Sequence, residues 1–144
     1  MSRLVVAVVL VAAAILVAWV LQRRGRSGEP VRAPTFHVPE RLDRTDFGRP
    51  DASWLVVIFT SATCDTCAAV SDKARALESD AVAVQEVEAR TQRHLHDRYQ
   101  IDAVPLVVMA DHAGLVRASF VGPVPAADLW SAMAGLRGQP PPRG

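Results

Sequence analysis

The residues of this chain best suited to chemistry are Cys64 and Cys67, its only two cysteines. Two residues separate them, in the stretch Val57-Ile-Phe-Thr-Ser-Ala-Thr-Cys-Asp-Thr-Cys-Ala-Ala-Val70, where an apolar strand pattern changes to a helical one. A thiol in the first turn of a helix faces unpaired backbone N–H groups and the positive end of the helix dipole, which stabilise its thiolate. A second thiol three positions later can close a disulfide with it. The spacing therefore predicts a redox centre.

The helical pattern assigns different roles to the two sulfurs. One face of the predicted helix is marked by a recurrence at spacings of three, four and three: Cys67, Val70, Ala74 and Leu77. Cys67 is therefore expected to point into the protein, whereas Cys64 stands at the helix start, where solvent and substrate reach it. We predict Cys64 as the nucleophile and Cys67 as the resolving thiol, which displaces the mixed disulfide.

The neighbours of Cys64 are expected to tune its thiolate. Thr63 is predicted to cap the helix and to offer its hydroxyl to the Cys64 thiolate, so it joins the candidate substrate-binding residues. Asp65 suits a helix N-terminus, but its carboxylate repels the neighbouring thiolate and opposes the dipole. The net stabilisation of the thiolate is expected to be modest.

Two other interpretations of the pair remain open, namely inert buried thiols and half of a zinc site. A zinc site needs four ligands, and the chain has no second cysteine pair. His94 and His96 are two residues apart on a short predicted helix and so point in different directions. We predict no metal and no cofactor, and we expect all four histidines on the solvated surface: His37, His94, His96 and His112.

The N-terminal region predicts a transmembrane helix. Residues 4–21 form an unbroken run of 18 residues without a charge, which spans about 27 Å as a helix, close to the thickness of a bilayer core. Trp19 lies near its end, where interfacial aromatics are common. A cleaved signal peptide is the alternative, but the run ends in Gln22-Arg-Arg-Gly-Arg26 rather than in a small-residue cleavage site. We therefore predict an uncleaved, single-pass membrane anchor.

The charges around this segment predict its orientation. Arg3 precedes the run, whereas four arginines follow it: Arg23, Arg24, Arg26 and Arg32. The positive-inside rule then places the folded domain in the cytoplasm. The extracytoplasmic side is the alternative, because tethered redox domains are often met on the oxidising side. The following arginines are suited to anionic lipid headgroups.

The charge balance of the remainder argues against nucleic-acid binding. From residue 36 onward there are 11 lysines and arginines against 14 aspartates and glutamates. A nucleic-acid-binding domain needs a clustered basic face, which this balance does not favour. The predicted division of the chain is an anchor (1–22), a polar tether rich in Gly and Pro (23–35), a folded domain (36–137) and a disordered, proline-rich tail (138–144).

Within the folded domain the pattern predicts a mixed sheet with helices on both sides. The uninterrupted apolar run 54–59 has strand length and is typical of a strand buried on both faces. After a weak start (edge strand 36–38, helical turn 41–47), the predicted order is strand 54–59, a helix from Cys64, strand 81–87, a helix from a Thr91 cap to Tyr99, strands 105–109 and 115–121 around a hairpin, and helix 125–136.

Over residues 54–136 the chain resembles the thioredoxin superfamily. The resemblance is carried by the strand with Phe59, the site from Cys64 to Cys67, Val104-Pro105 before the next long strand, Gly114 in the hairpin and Val121-Gly122 before the last helix. It implies a thioredoxin-like α/β fold, a mixed β-sheet flanked by helices, here preceded by one transmembrane helix. It also implies that Pro105 is a cis-proline packed on the active-site disulfide, and that the backbone of Val104 binds an extended substrate segment.

Three departures from the family pattern bear on activity. Thioredoxins carry Trp-Cys-Gly-Pro-Cys, where this chain has Thr63-Cys-Asp-Thr-Cys67. A buried aspartate of the family, thought to take the proton from the second thiol, is replaced by Ile58, and a helix-kinking proline by Asp72. Deprotonation of Cys67 must then rely on water or substrate. These changes argue against efficient general reduction and favour a tethered, specialised member.

The sequence thus predicts a membrane-anchored thiol–disulfide oxidoreductase that reduces or exchanges disulfides in protein substrates. Its redox partner is not indicated by the sequence. The first alternative is a non-catalytic redox-sensing adaptor at the membrane, which the departures from the family pattern favour. The second is a carrier of a soft metal such as Cu(I), held by two thiolates.

Overall fold

The computed structural model describes residues 35–138. The predicted membrane anchor, nearly all of the tether and residues 139–144 of the predicted tail lie outside this range. Within it, none of the helices is long and apolar enough to cross a bilayer. The transmembrane helix predicted at residues 4–21 therefore lies in a part of the chain that the structure does not describe.

Between residues 35 and 138, four strands form one mixed sheet. They are β1 (Trp54–Thr60), β2 (Val82–Glu88), β3 (Leu106–Asp111) and β4 (Val116–Val121), in the spatial order β2-β1-β3-β4. β1 runs parallel to β2 and antiparallel to β3, which is antiparallel to β4. β1 is a central strand with both faces covered, so its apolar run is buried from Leu55 to Thr60.

Three helices and one 3-10 turn accompany the sheet. The helices are α1 (Cys67–Arg75), α2 (Arg93–Arg98) and α3 (Ala126–Gly138), and the 3-10 turn covers Arg44–Asp46. The connection from β1 to the parallel β2 passes through α1, because parallel neighbours need a crossover. The predicted order of elements is thus confirmed, although Gly138, assigned from sequence to the tail, is the last residue of α3.

Alternate residues of the strands feed two apolar cores. Val56, Ile58 and Val107 belong to the core under α1 and α3, together with Val70, Ala74, Leu129 and Met133. Leu55, Val57 and Phe59 point the other way, to the core under α2 and the segment around the 3-10 turn, together with Leu42, Phe47, Leu95 and Tyr99. This two-sided burial confirms the predicted mixed sheet with a helical layer on each face.

Two local predictions are wrong. Residues 36–38 are not a strand: the backbone N–H of His37 donates to the Asp102 carboxylate (3.1 Å), and the bridge to the sheet edge is made later, between Arg41 and Leu115. The helix expected from a Thr91 cap begins instead at Arg93, after Gln92.

The edge position of β4 limits its burial. Ala118 and Phe120 pack on the core under α1 and α3, whereas Val116 packs on the opposite core, because the register with β3 shifts between Met109 and Ala110. All three are only half-buried. β4 has a single neighbour, and no strand covers its other side within the described sheet. The side chains of β4 are therefore less buried than those of the central strand β1.

Candidate redox site

The two cysteines lie where β1 passes into α1, but only one of them is in the helix. α1 begins at Cys67, and Cys64 belongs to the turn that precedes it, with its N–H donating to the Ser61 carbonyl (3.1 Å). The expected placement of Cys64 in the first helical turn is therefore wrong by three residues. Asp65 and Thr66 therefore also lie in this turn, before the first residue of α1.

The sulfurs of Cys64 and Cys67 are joined in a disulfide, with 5.5 Å between the two Cα atoms. Cys67 is 3% exposed, whereas Cys64 is only half-buried. The helical phase predicted this difference, because Cys67 shares the buried stripe of α1 with Val70 and Ala74. In this arrangement an incoming thiolate or disulfide reaches Cys64 first.

The hydroxyl nearest to the Cys64 sulfur is not the predicted one. Thr63 lies in the turn with its Oγ1 3.1 Å from Ser61 Oγ, and it is not the cap of α1, which is preceded by Thr66. Thr66 Oγ1 instead lies 3.8 Å from Cys64 Sγ. Thr66 is the residue before the helix, but its side chain makes no capping hydrogen bond. The proposed contact of Thr63 with substrate remains a prediction.

Glu88, at the end of β2, holds the turn that carries Cys64. Its carboxylate accepts the backbone N–H of Ala62 (3.1 Å) and, on the other oxygen, those of Arg90 (3.0 Å) and Thr91 (3.1 Å). The hydrogen bond from the Arg90 N–H, followed by those from Thr91 and Ala62, lowers the pKa of Glu88 below its usual value. Sequence reasoning missed this residue, because its partner lies 26 positions away and no local pattern indicates the pairing.

The ends of β1 and β2 are also joined by side chains below the site. Thr60 Oγ1 donates to Glu86 Oε1 (3.0 Å), and the Arg75 guanidinium pairs with the other oxygen of Glu86. The Ala89 N–H donates to the Thr60 carbonyl (3.0 Å), which extends the β1–β2 ladder by one step. The end of the sheet at which the disulfide loop begins is therefore tied across both strands and to the last turn of α1.

The Val104–Pro105 peptide bond is cis, as the resemblance led us to expect. Pro105 is buried, Val104 is half-buried, and the Pro105 carbonyl accepts the Gly122 N–H (2.8 Å). Leu106, the next residue, is paired with Phe59 across the sheet. This register places Pro105 at the same end of β1 from which the disulfide loop leaves. The proposed contact of Val104 with substrate remains a prediction.

One predicted surface residue is buried. His96 is 8% exposed, its Nε2 lies 2.9 Å from the Val87 carbonyl, and its ring meets that of Phe59 edge-on at 5.4 Å. Its position on the inner side of α2 explains the error, because the polar pattern of a six-residue helix does not reveal which side packs. Within residues 35–138 no group of three or more His, Cys, Asp or Glu side chains is placed to hold a metal ion.

No protein-family model and no curated protein sequence matches this chain. Solved structures do. A mutant thioredoxin from Halobacterium salinarum aligns with a TM-score of 0.56 over 64% of this chain and 81% of its own, at 19% identity. Thioredoxin O2 from Arabidopsis thaliana, in its oxidised state, gives 0.53 over 65% and 89%, at 22% identity.

A third structure, the germline-specific thioredoxin Deadhead from Drosophila melanogaster, aligns with a TM-score of 0.52 over 60% of this chain and 84% of its own, at 23% identity. The described domain has the thioredoxin fold. The likeness is one of backbone and topology, and at these identities it leaves the chemistry of the site to be argued from this chain's own residues.

Two departures from the thioredoxin pattern are clear in the structure. Ile58 is 0% exposed and packs in the apolar core under α1, where thioredoxins carry an acid. Asp72 lies on the exposed side of an α1 that continues through that position to Arg75. The domain thus keeps the thioredoxin framework and its cysteine pair, without the buried carboxyl group.

Proposed function

We propose that this protein is a thiol–disulfide oxidoreductase acting on protein substrates. The observation that carries the proposal is the Cys64–Cys67 disulfide at the start of α1 on a thioredoxin fold, with one half-buried and one buried sulfur. Such a pair can exchange two electrons with a substrate through a mixed disulfide. Cys64 is the attacking and attacked sulfur, because it is the accessible one.

In the reducing direction the reaction has two steps. The Cys64 thiolate attacks one sulfur of a substrate disulfide, forming a Cys64–substrate disulfide and releasing a substrate thiolate. The Cys67 thiol then loses its proton and attacks the Cys64 sulfur, which closes the Cys64–Cys67 disulfide and releases the second substrate thiolate. Two electrons pass from the cysteine pair to the substrate, and the released thiolates take up the protons.

Reduction of the interchain disulfides of insulin by the full-length chain, with dithiothreitol as the electron source, tests this function. Activity above the dithiothreitol background is expected for the wild type and for Glu78→Gln, which removes only an exposed ion pair with Arg49. Cys64→Ser should reduce the rate to background. Equal rates for wild type and Cys64→Ser would contradict the proposal.

A redox-sensing adaptor is the second candidate, and the apolar environment of Ile58 favours it. In an adaptor the disulfide would change binding to a partner rather than turn over, and a slow resolving step would suit that role. The two functions separate in cells. Cys64→Ser abolishes the phenotype of an oxidoreductase, whereas an adaptor with the same substitution still binds its partner and loses only the response of that binding to oxidation.

The proposal includes a membrane anchor at residues 4–21, supported by 18 consecutive uncharged residues. Anchoring raises the effective concentration of substrates at the bilayer. The arginines that follow the run support a cytoplasmic domain, where glutathione and thioredoxin pools would keep the pair reduced and favour reductase activity.

Labelling of Cys64 in intact cells with a membrane-impermeant maleimide, after mild reduction, tests the orientation. Protection that is lost on lysis supports the cytoplasmic side. Labelling without lysis would place the pair outside and overturn the argument from the arginines. The chain without residues 1–22 should then remain in the soluble fraction in either case.

A further inference from the structure

The hydroxyl of Ser71 is buried and has no hydrogen-bond partner. Ser71 is 1% exposed, and its Oγ is one of two such side-chain atoms in the described residues, the other being Arg44 Nε. A buried hydroxyl without a partner costs about 1 to 3 kcal/mol, so native proteins carry few of them. The guanidinium of Arg44 is otherwise satisfied by three backbone carbonyls, whereas Ser71 has nothing.

Ser71 follows Cys67 by four residues in the same helix, and both side chains are buried. Residues four apart in a helix are neighbours on one face, with about 5 to 6 Å between their Cβ atoms. Helical side chains lean toward the N-terminus, so the later residue covers the turn before it. The Ser71 hydroxyl therefore lies over the turn that begins with Cys67.

The disulfide explains why the Ser71 hydroxyl makes no hydrogen bond in the oxidised state. Serine in a helix often donates to the carbonyl four residues earlier, but Ser71 does not. Divalent sulfur in a disulfide is a weak acceptor, and the Cys67 sulfur is held toward Cys64. A thiolate at Cys67 is a strong, charged acceptor, and hydrogen bonds to charged groups are about twice as strong as neutral ones.

We propose that Ser71 donates a hydrogen bond to the Cys67 sulfur once the disulfide is opened, and so stabilises the thiolate that resolves the mixed disulfide. The inference rests on the proposed oxidoreductase function and deepens it. Ile58 packs in the apolar core under α1, where the thioredoxin pattern has an acid. A hydroxyl supplied by α1 itself then lowers the cost of forming a buried anion.

The resolving step remains balanced. The Cys67 S–H proton passes to water or to the departing substrate thiolate, while Ser71 keeps its own proton and only donates the hydrogen bond. The Cys67 sulfur forms a bond to the Cys64 sulfur, and the bond from Cys64 to the substrate sulfur breaks. When the new disulfide closes, Ser71 loses its acceptor and returns to the state seen here.

The first test compares the redox equilibrium of the full-length wild type and Ser71→Ala with mixtures of reduced and oxidised glutathione. The hydroxyl stabilises only the reduced form, so its removal should shift the equilibrium toward the disulfide by about three- to tenfold. A tenfold change corresponds to about 30 mV for this two-electron couple. An unchanged equilibrium constant would overturn the proposal.

The second test separates the two chemical steps with dithiobis-nitrobenzoate. Reduced protein releases one coloured thiolate when Cys64 attacks and a second when Cys67 resolves the mixed disulfide. Ser71→Ala should leave the first rate unchanged, slow the second by about three- to tenfold and move its pH midpoint upward. Equal slowing of both steps would identify a structural effect and overturn the proposal.

Ser71→Thr is the matched control, because it keeps a hydroxyl on the same Cβ. We expect Ser71→Thr to have the redox equilibrium and the resolving rate of the wild type. If Ser71→Thr shows the same changes as Ser71→Ala, the hydroxyl is not their cause and the proposal is overturned. Thermal unfolding provides an independent measurement: Ser71→Ala should stabilise the oxidised protein, in which the hydroxyl is buried without a partner, but not the reduced protein. Neither assay uses a protein substrate, so failure of insulin reduction with a Ser71 effect intact would refute the enzyme and leave this inference standing.

Discussion

The two faces of the sheet differ in how they treat buried polar groups. Under α2, the Tyr99 hydroxyl donates to Asp46 and accepts the Asp43 N–H (2.9 Å), and His96 contacts the Val87 carbonyl. Under α1, Ser71 is buried with no partner beside the cysteine pair. On the α2 face each of these buried side chains, and the guanidinium of Arg44 as well, has at least one hydrogen-bond partner. On the α1 face the Ser71 hydroxyl is a hydrogen-bond donor without an acceptor. This is consistent with a face on which the negative charge of the Cys67 thiolate forms during the reaction.

This contrast separates two kinds of effect. Substitutions on the α2 face should change the free energy of unfolding equally in the oxidised and reduced states. Substitutions on the α1 face, close to the cysteine pair, should change the two states unequally and so alter the redox equilibrium.

Ile58→Asp introduces a carboxylate into the apolar core under α1. Ile58 is 0% exposed and packs among Val56, Val70 and Val107, so the carboxylate has no described cationic partner in that cluster. We expect a loss of about 3 to 5 kcal/mol in unfolding free energy at pH 7, which guanidinium denaturation would measure. The loss should shrink at low pH, where the acid is neutral. Ile58→Val, the control, should cost only about 1 kcal/mol.

Gly114→Ala should be much more damaging than Gly122→Ala, although both glycines have positive φ angles, +80° and +83°. A Cβ at Gly114 would lie 2.0 Å from the Leu42 carbonyl oxygen, whereas none of the described atoms lies within 4 Å of one at Gly122. We expect about 3 kcal/mol for the first, from strain plus clash, and about 1 kcal/mol for the second, from strain alone. Equal losses in thermal unfolding would show that the Leu42 segment yields freely.

Tyr99→Phe should cost about 1 kcal/mol in both redox states, because it removes the hydroxyl that pairs with Asp46 and with the Asp43 backbone. Chemical denaturation of the oxidised and reduced protein measures both values. The Arg98 guanidinium also pairs with Asp43 and Asp46, and Arg98→Gln tests whether this surface ion pair adds anything comparable. A loss for Tyr99→Phe that is confined to the reduced state would contradict the division between faces.

The same tyrosine predicts an alkaline transition. Burial, together with the hydrogen bond donated to Asp46, raises the pKa of Tyr99 to about 12 from 10.0. A raised folded-state pKa gives stability that is present below pH 10 and lost as the pH rises toward 12. Tyr99→Phe should remove this part of the pH dependence, which denaturation at a series of pH values would show.

Glu88→Gln should have the smallest effect, and should be seen at the site rather than in overall stability. The amide has one acceptor oxygen where the carboxylate has two, so the Ala62 N–H or the Arg90 and Thr91 pair loses its acceptor. We expect the reaction of Cys64 with dithiobis-nitrobenzoate to change by about two- to fivefold. Glu78→Gln, which removes only an exposed pairing with Arg49, is the control and should have no effect.

Protonation of Glu88 at acid pH should weaken the same hydrogen bonds as Glu88→Gln does. Because the folded-state pKa of Glu88 lies below 4.5, its contribution to stability is complete above pH 4.5 and disappears as the pH falls below that value. The wild type, but not Glu88→Gln, should therefore lose order in the turn around Ala62 at acid pH. Amide exchange of the Ala62, Arg90 and Thr91 N–H groups measures this loss residue by residue.

The sequence by itself determined the sheet, the order of elements, the cysteine pair and which sulfur is buried. Those features follow from patterns within about ten residues: the uninterrupted apolar run of β1, the helical recurrence from Cys67 to Ala74, and the cysteine spacing. Hydrophobic burial acts on each such segment almost independently, so the segment alone indicates whether it is a strand or a helix and which of its residues are buried.

Only the tertiary structure decided where the helix begins, which threonine meets the Cys64 sulfur, that Glu88 holds the Cys64 turn, and that His96 and Ser71 are buried. Each of these depends on groups brought together by the crossover from β1 to β2 or by packing against the sheet. A hydrogen bond between residues 26 positions apart, or the inner side of a six-residue helix, leaves no periodic trace in the sequence. The redox chemistry of this site therefore follows from the local spacing of its cysteines. The hydrogen bonds that hold the Cys64 turn and surround the two sulfurs depend on the rest of the fold.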